Sequence, residues 1–249
     1  MLRLFAGSAL VAAVALAGAV PVAAPASAAD RYEVDVARRA DFVPQTNFVQ
    51  CIGASLQMMI NMIEPGRDRS AREQLRLQKL ARKLSPPRRD GSIRQGASVY
   101  GWVKVLHREV DQPYRLVGAD TLNEAVKLAA RAIERTGAPV GLLVWRGRHA
   151  WVMSGFEATK DLSDGGKVTS VTIYDPLYPF GDDFWGPSPR PGVPISVRAL
   201  GRQFVPRRTN TSNAFQTTLQ QAYPMLSGKY VLVLPYLPYL QYRPVRRPA

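Results

Sequence analysis

The apolar positions of this chain change period part-way along. Up to about residue 136 they recur with a helical spacing, and from residue 139 they come in short β-like runs. "CIGASLQMMINMI" (51–63) is apolar on nearly every face until Pro65-Gly66, which predicts a buried helix starting near Gln50 or Cys51. Ser70 and Glu73 form a capping-box pair that opens a second helix. Leu77, Leu80, Ala81 and Leu84 make its inward stripe, Arg72, Arg76, Lys79, Arg82 and Lys83 a solvated face, and Pro86-Pro87 its stop. "ASVYGWVKVLHR" (97–108) predicts a third helix and "PYRLVG" (113–118) a short strand; Thr121 and Glu124 cap a fourth helix that Gly137 ends.

After that, "PVGLLVW", "HAWVMSGFEA" and "KVTSVTIYD" predict three neighbouring antiparallel strands. The proline- and glycine-rich stretch 176–194 is a loop, either a binding rim or an excursion. "ISVRALGRQF" predicts a short helix and "GKYVLVLPY" a last strand. Helices first and strands second give an α+β class, with the buried helix packed on a C-terminal antiparallel sheet.

The two ends read differently. Residues 1–28 have Arg3, an Ala/Val/Leu stretch and Ala26-Ser27-Ala28, the features of a signal peptide, so the mature protein is expected to be secreted or held at the cell envelope. No later segment has the length and apolarity of a membrane span. Residues 29–40 read as an N-terminal extension, 41–235 as one domain, and 236–249 as a proline- and arginine-rich tail. One cysteine allows no intramolecular disulfide, so packing alone must hold an exported chain of this kind.

Lys and Arg number 33 against 19 Asp and Glu, a formal charge of +14 that favours anionic surroundings. No zinc-finger spacing, RNA-binding aromatic motif or helix-turn-helix signature accompanies it. Nucleic acid is therefore set aside, and anionic cell-wall polymers are the more economical partner. Two separated histidines and one cysteine make no zinc-ligand spacing, and Asp182-Asp183 stands alone, so no metal or cofactor is expected.

Candidate chemistry starts from the scarcest residues. Cys51 falls at a helix start, where unpaired N–H groups and the helix dipole favour a thiolate. Of the two histidines, His107 lies among charged residues in "KVLHREV", whereas His149 opens a strand and can project from the sheet end into a cleft. Asp175 ends the following strand, so antiparallel pairing could bring its carboxylate to the ring and fix the tautomer. Gln45, six residues before Cys51, could join the Cys51 N–H in an oxyanion hole. Taken singly, each has an ordinary explanation: a packing thiol, a structural histidine, an Asp-Pro strand ending.

Gln45-x5-Cys51 ahead of the apolar helix, "HAWVM" from His149, "IYDPLY" containing Asp175 and the later "GKYVLV" occur in that order over roughly residues 40–235. Together they resemble the papain-like cysteine peptidases, most closely the bacteriocin-processing, double-glycine leader peptidase branch and its stand-alone secreted relatives. The resemblance implies a papain-like fold, Cys51 as nucleophile, His149 as base, Asp175 as orienting acid, Gln45 as oxyanion donor, and a peptide or protein substrate. Ile52 stands where that family commonly has glycine. No nucleotide-binding signature is present, so bacteriocin export and cleavage after double glycine are not carried over. The expectation is a secreted papain-like cysteine peptidase using a Cys-His-Asp triad. Two alternatives stay open: a non-catalytic binding protein of the same fold at the cell envelope, and a cell-wall amidase or acyltransferase of the same architecture.

Overall fold

A computed structural model describes residues 31–64, 66, 68–87, 95–208 and 226–238. The expected signal peptide and the tail from residue 239 lie outside that range. Helix α1 (Cys51–Ile63) is buried at nearly every position, as its all-round apolarity requires. Polar side chains on it pin neighbouring backbone: Ser55 Oγ donates to the Ala150 carbonyl, Gln57 to the carbonyls of Asp68 and Ser70, and Asn61 to that of Asp68.

Helix α2 (Ala71–Leu84) starts at Ser70, whose hydroxyl accepts from the Glu73 N–H. Its buried stripe differs from the expected one. Gln74, Leu77, Gln78 and Ala81 face inward, while Leu80 and Leu84 are only half-buried. The helix is rotated because both glutamines bond otherwise unpaired backbone in residues 44–53. Helix α3 (Val99–Glu109) crosses α2 at Gly101, where a Cβ would lie 2.1 Å from the Ala81 carbonyl oxygen.

The remaining elements are β1 (Tyr32–Asp35), β2 (Tyr114–Ala119), α4 (Leu122–Thr136), β3 (Val140–Val144), β4 (His149–Ala158), β5 (Val168–Tyr174), β6 (Gly181–Asp182), β7 (Gly186–Pro187), β8 (Pro194–Ser196), α5 (Val197–Leu200) and β9 (Tyr230–Pro235). Helix α4 opens on Thr121, which accepts from the Glu124 N–H, and closes on Gly137 in the left-handed conformation (φ 65°).

Among the described residues, seven strands form one antiparallel sheet in the order β2-β9-β3-β4-β5-β8, with β1 also on β4. Helices α1 to α3 cover one face, packing on Leu143, Ala150, Val152, Val231 and Val233. Helix α4 and the α5 region cover the other, packing on Leu142, Trp151, Met153, Ile173 and Leu232. Coverage on both faces explains why β3 and most of β4 are buried throughout. Early helices and a late antiparallel sheet make this the expected α+β class.

Three local expectations are corrected. The stretch 29–40 is not outside the domain: Tyr32–Asp35 pairs with Gly155–Ala158 of β4, along the edge that β3 leaves unpaired beyond Met153. "ISVRALGRQF" is split, its first residues completing β8 before the single turn of α5, which Ser196 caps. The 176–194 stretch is structured as a small hairpin of β6 and β7, whose turn is held by Asp182 Oδ1 accepting from the N–H groups of Phe184 and Trp185.

Candidate active site

Cys51 is the first residue of α1 and is half-buried. The helix receives no side-chain cap from its own N-cap residue, Gln50, whose Oε1 accepts from the Thr46 hydroxyl instead. The cap comes from α2. Gln78 Oε1 accepts from the Gly53 N–H at 2.9 Å while its Nε2 donates to the Val49 carbonyl at 2.8 Å. Gln74 clamps the preceding turn, accepting from Thr46 N–H and donating to the Pro44 carbonyl, both at 2.9 Å. With Gly53 satisfied by Gln78 and Gln50 by the Asn47 carbonyl, the N–H groups of Cys51 and Ile52 are left without a hydrogen-bond acceptor among the described residues. The Ile52 side chain is buried in the core.

His149 begins β4 and is 4% exposed; Asp175, immediately past β5, is fully buried. The β4–β5 register pairs Val152 with Tyr174, and the next residue, Asp175, reaches back so that its Oδ1 accepts from His149 Nε2 at 2.7 Å. The same oxygen accepts from the Leu177 N–H at 2.8 Å, and Oδ2 is buried with no hydrogen-bond partner among the described residues. The Cys51 side chain acts on the same ring and, with Asp175, favours its charged form. With Nε2 committed to Asp175, Nδ1 is the ring nitrogen left for the thiol.

Burial pushes the imidazole pKa down. The hydrogen bond to Asp175 and the interaction with Cys51, with the negative charge on both, outweigh that effect and raise it from 6.5 to about 9. Protonated at neutral pH, the ring is the counter-ion that the buried carboxylate requires. Trp145 lies flat on it, ring centroids 4.2 Å apart and 24° between planes, shielding one face from water.

Cys51, His149 and Asp175 are thus brought together. Gln45 comes close by another route: its backbone N–H donates to the Pro176 carbonyl at 2.7 Å, joining the pre-helix segment to the turn after Asp175. Its Nε2 donates to the Asn47 carbonyl at 3.0 Å, so one of its two amide hydrogens is already used. His107 lies elsewhere, at the end of α3, bonded to the backbone of Tyr114. Among the described residues, no group of three or more His, Cys, Asp or Glu could hold a metal ion, and no helix is long and apolar enough to cross a membrane.

The sequence reading passed over Gln74, Gln78, Trp145 and Gln203. Trp145 and Arg146 both have left-handed backbones, with φ of 54° and 55°, a strained state for side chains of this size. Gln203 holds the turn. Its carbonyl accepts from Trp145 N–H at 3.0 Å, its Oε1 from the indole N–H at 2.9 Å, and its Nε2 donates to the Pro187 carbonyl at 3.0 Å.

No protein-family model matches the chain, and no curated protein matches it. Among solved structures it is similar to UfSP from C. elegans, with a TM-score of 0.39 and 16% identity, over 79% of this chain and 32% of that one. The chain therefore spans about a third of the length of that structure.

Proposed function

We propose that the protein is a secreted papain-like thiol hydrolase, a cysteine peptidase acting through Cys51, His149 and Asp175. The observation that carries this reading is the buried imidazole, hydrogen-bonded to Asp175 and electrostatically coupled to the Cys51 thiol at a helix N-terminus.

In the reaction, Cys51 Sγ attacks the scissile carbonyl carbon, its proton having passed to His149. Negative charge develops on the carbonyl oxygen near the free N–H groups of Cys51 and Ile52, with the second amide hydrogen of Gln45 as a further donor. The C–N bond breaks, the imidazolium gives its proton to the leaving amine, and a thioester remains. Water, deprotonated by His149, attacks the thioester and releases the acid and the thiol. Asp175 keeps the ring in the tautomer that faces the thiol and stabilises its charged form. The basic surplus supports a second reading, the same chemistry directed at amide links of an anionic cell wall.

Iodoacetamide labelling at pH 6 tests the site. Cys51 should alkylate, and His149→Ala should abolish the reaction. A thiol inert up to pH 8 overturns the proposal. Zymography on casein and on purified wall then separates the two readings by which substrate is cleared.

A further inference from the structure

Against Trp145 lies a groove of about 480 Å³ lined by Trp145, Arg146, Arg148, Asp182, Phe184, Trp185 and Arg208. Its floor, Trp145, is in stacking contact with the imidazole. Because His149 delivers the proton to the leaving amine, a groove backing onto His149 faces the part of the substrate that leaves. We infer that it binds an acidic peptide segment, with carboxylate side chains just after the scissile bond; this assignment of a side of the cleft rests on the thiol-hydrolase reading above.

Charge carries the inference first. Arg146 and Arg148 are exposed and flank the turn into β4, and among the described residues the salt bridges all lie elsewhere. Planar guanidinium groups match carboxylates in a bidentate fashion. Asp182 does not neutralise them through Oδ1, which accepts from the N–H groups of Phe184 and Trp185.

Backbone strain carries it second. A left-handed turn at two bulky residues persists only where its surroundings enforce it, and here Gln203 bonds Trp145 twice while the Arg208 N–H donates to the Arg146 carbonyl at 3.2 Å. The same Gln203 ties the turn to Pro187, fixing the aromatic rim relative to the arginines. The rim is completed by Phe184, 79% exposed and set edge-on to Trp185, an apolar surface for the chain between carboxylates.

The test uses the full chain carrying Cys51→Ala, so that nothing is cleaved, and calorimetric titration with two peptides, acetyl-Phe-Ala-Glu-Glu-amide and acetyl-Phe-Ala-Gln-Gln-amide. At low ionic strength the glutamate peptide should bind about tenfold more tightly, and added salt should shrink the ratio. Arg146→Gln with Arg148→Gln should remove the preference, whereas Arg108→Gln, exposed on α3, should leave it intact. Equal binding, no binding by either peptide, or a preference that survives the double substitution overturns the inference. Thiol labelling of the wild type is read separately: an inert Cys51 sinks the hydrolase reading, while a reactive Cys51 with indifferent peptides sinks only the acidic subsite.

Discussion

Asp175→Asn keeps an oxygen that can accept from His149 Nε2 and the Leu177 N–H, but it removes the charge. In the wild type the ring pKa rises from 6.5 to about 9 despite burial, so folding is favoured by about 3 kcal/mol while the ring is protonated. Because the folded pKa lies above the unfolded one, that contribution is complete below pH 6.5 and is lost as pH rises through 9. For a chain of this size the loss corresponds to a fall of roughly 6–12 °C in thermal midpoint. Without the carboxylate charge the ring pKa should drop by about 1–3, and the alkaline loss should shrink by about 1.4 kcal/mol for each pH unit of that drop. The chain has only two histidines, so an NMR titration of the ring protons resolves His149 from His107, and melting curves between pH 6 and 9.5 give the stability. A wild-type His149 pKa at or below 6.5, or a value unchanged by Asp175→Asn, would refute the electrostatic account of the site.

Two further substitutions probe how the thiol is held. Gln78→Ala strips the Gly53 N–H and the Val49 carbonyl of their partner; it should cost about 1–3 kcal/mol in chemical denaturation and slow Cys51 alkylation, and unchanged alkylation would show that α2 does not position the thiol. Gly101→Ala drives a Cβ to within 2.1 Å of the Ala81 carbonyl oxygen; it should destabilise the protein by about 1–3 kcal/mol or more by prising α3 from α2, and a melting temperature equal to wild type would refute that contact.

Much of the frame was legible because the relevant residues coincide with changes in hydrophobic period. The buried helix begins at Cys51, a strand begins at His149, and another ends one residue before Asp175. What stayed hidden depends on tertiary partners. Gln74 and Gln78 count as polar in an amphipathic pattern and so seem to belong outside, yet they turn inward because the pre-helix segment has backbone groups that only they can reach. Their spacing on one face with Leu77 and Ala81 was the available cue. The turn at Trp145 was invisible for a different reason: Gly147 nearby offers the natural left-handed position, and nothing in the sequence says that Trp145 and Arg146 are forced into that conformation as well. The basic surplus in the sequence did not say which arginines would line the groove on Trp145.

Strand β1 has a consequence for how the chain matures. Its partner segment, Gly155–Ala158, comes more than a hundred residues later, so an N-terminal strand that emerges first must wait for most of the protein before it can dock, a non-local pairing of the slow kind. Until then, or if proteolysis trims the chain past Asp35, that half of β4 presents a bare row of backbone donors and acceptors to any passing strand. A few residues at the start of the domain thus decide whether that half of β4 is covered or open to self-association, and a recombinant form begun at residue 41 should aggregate where one begun at residue 29 does not.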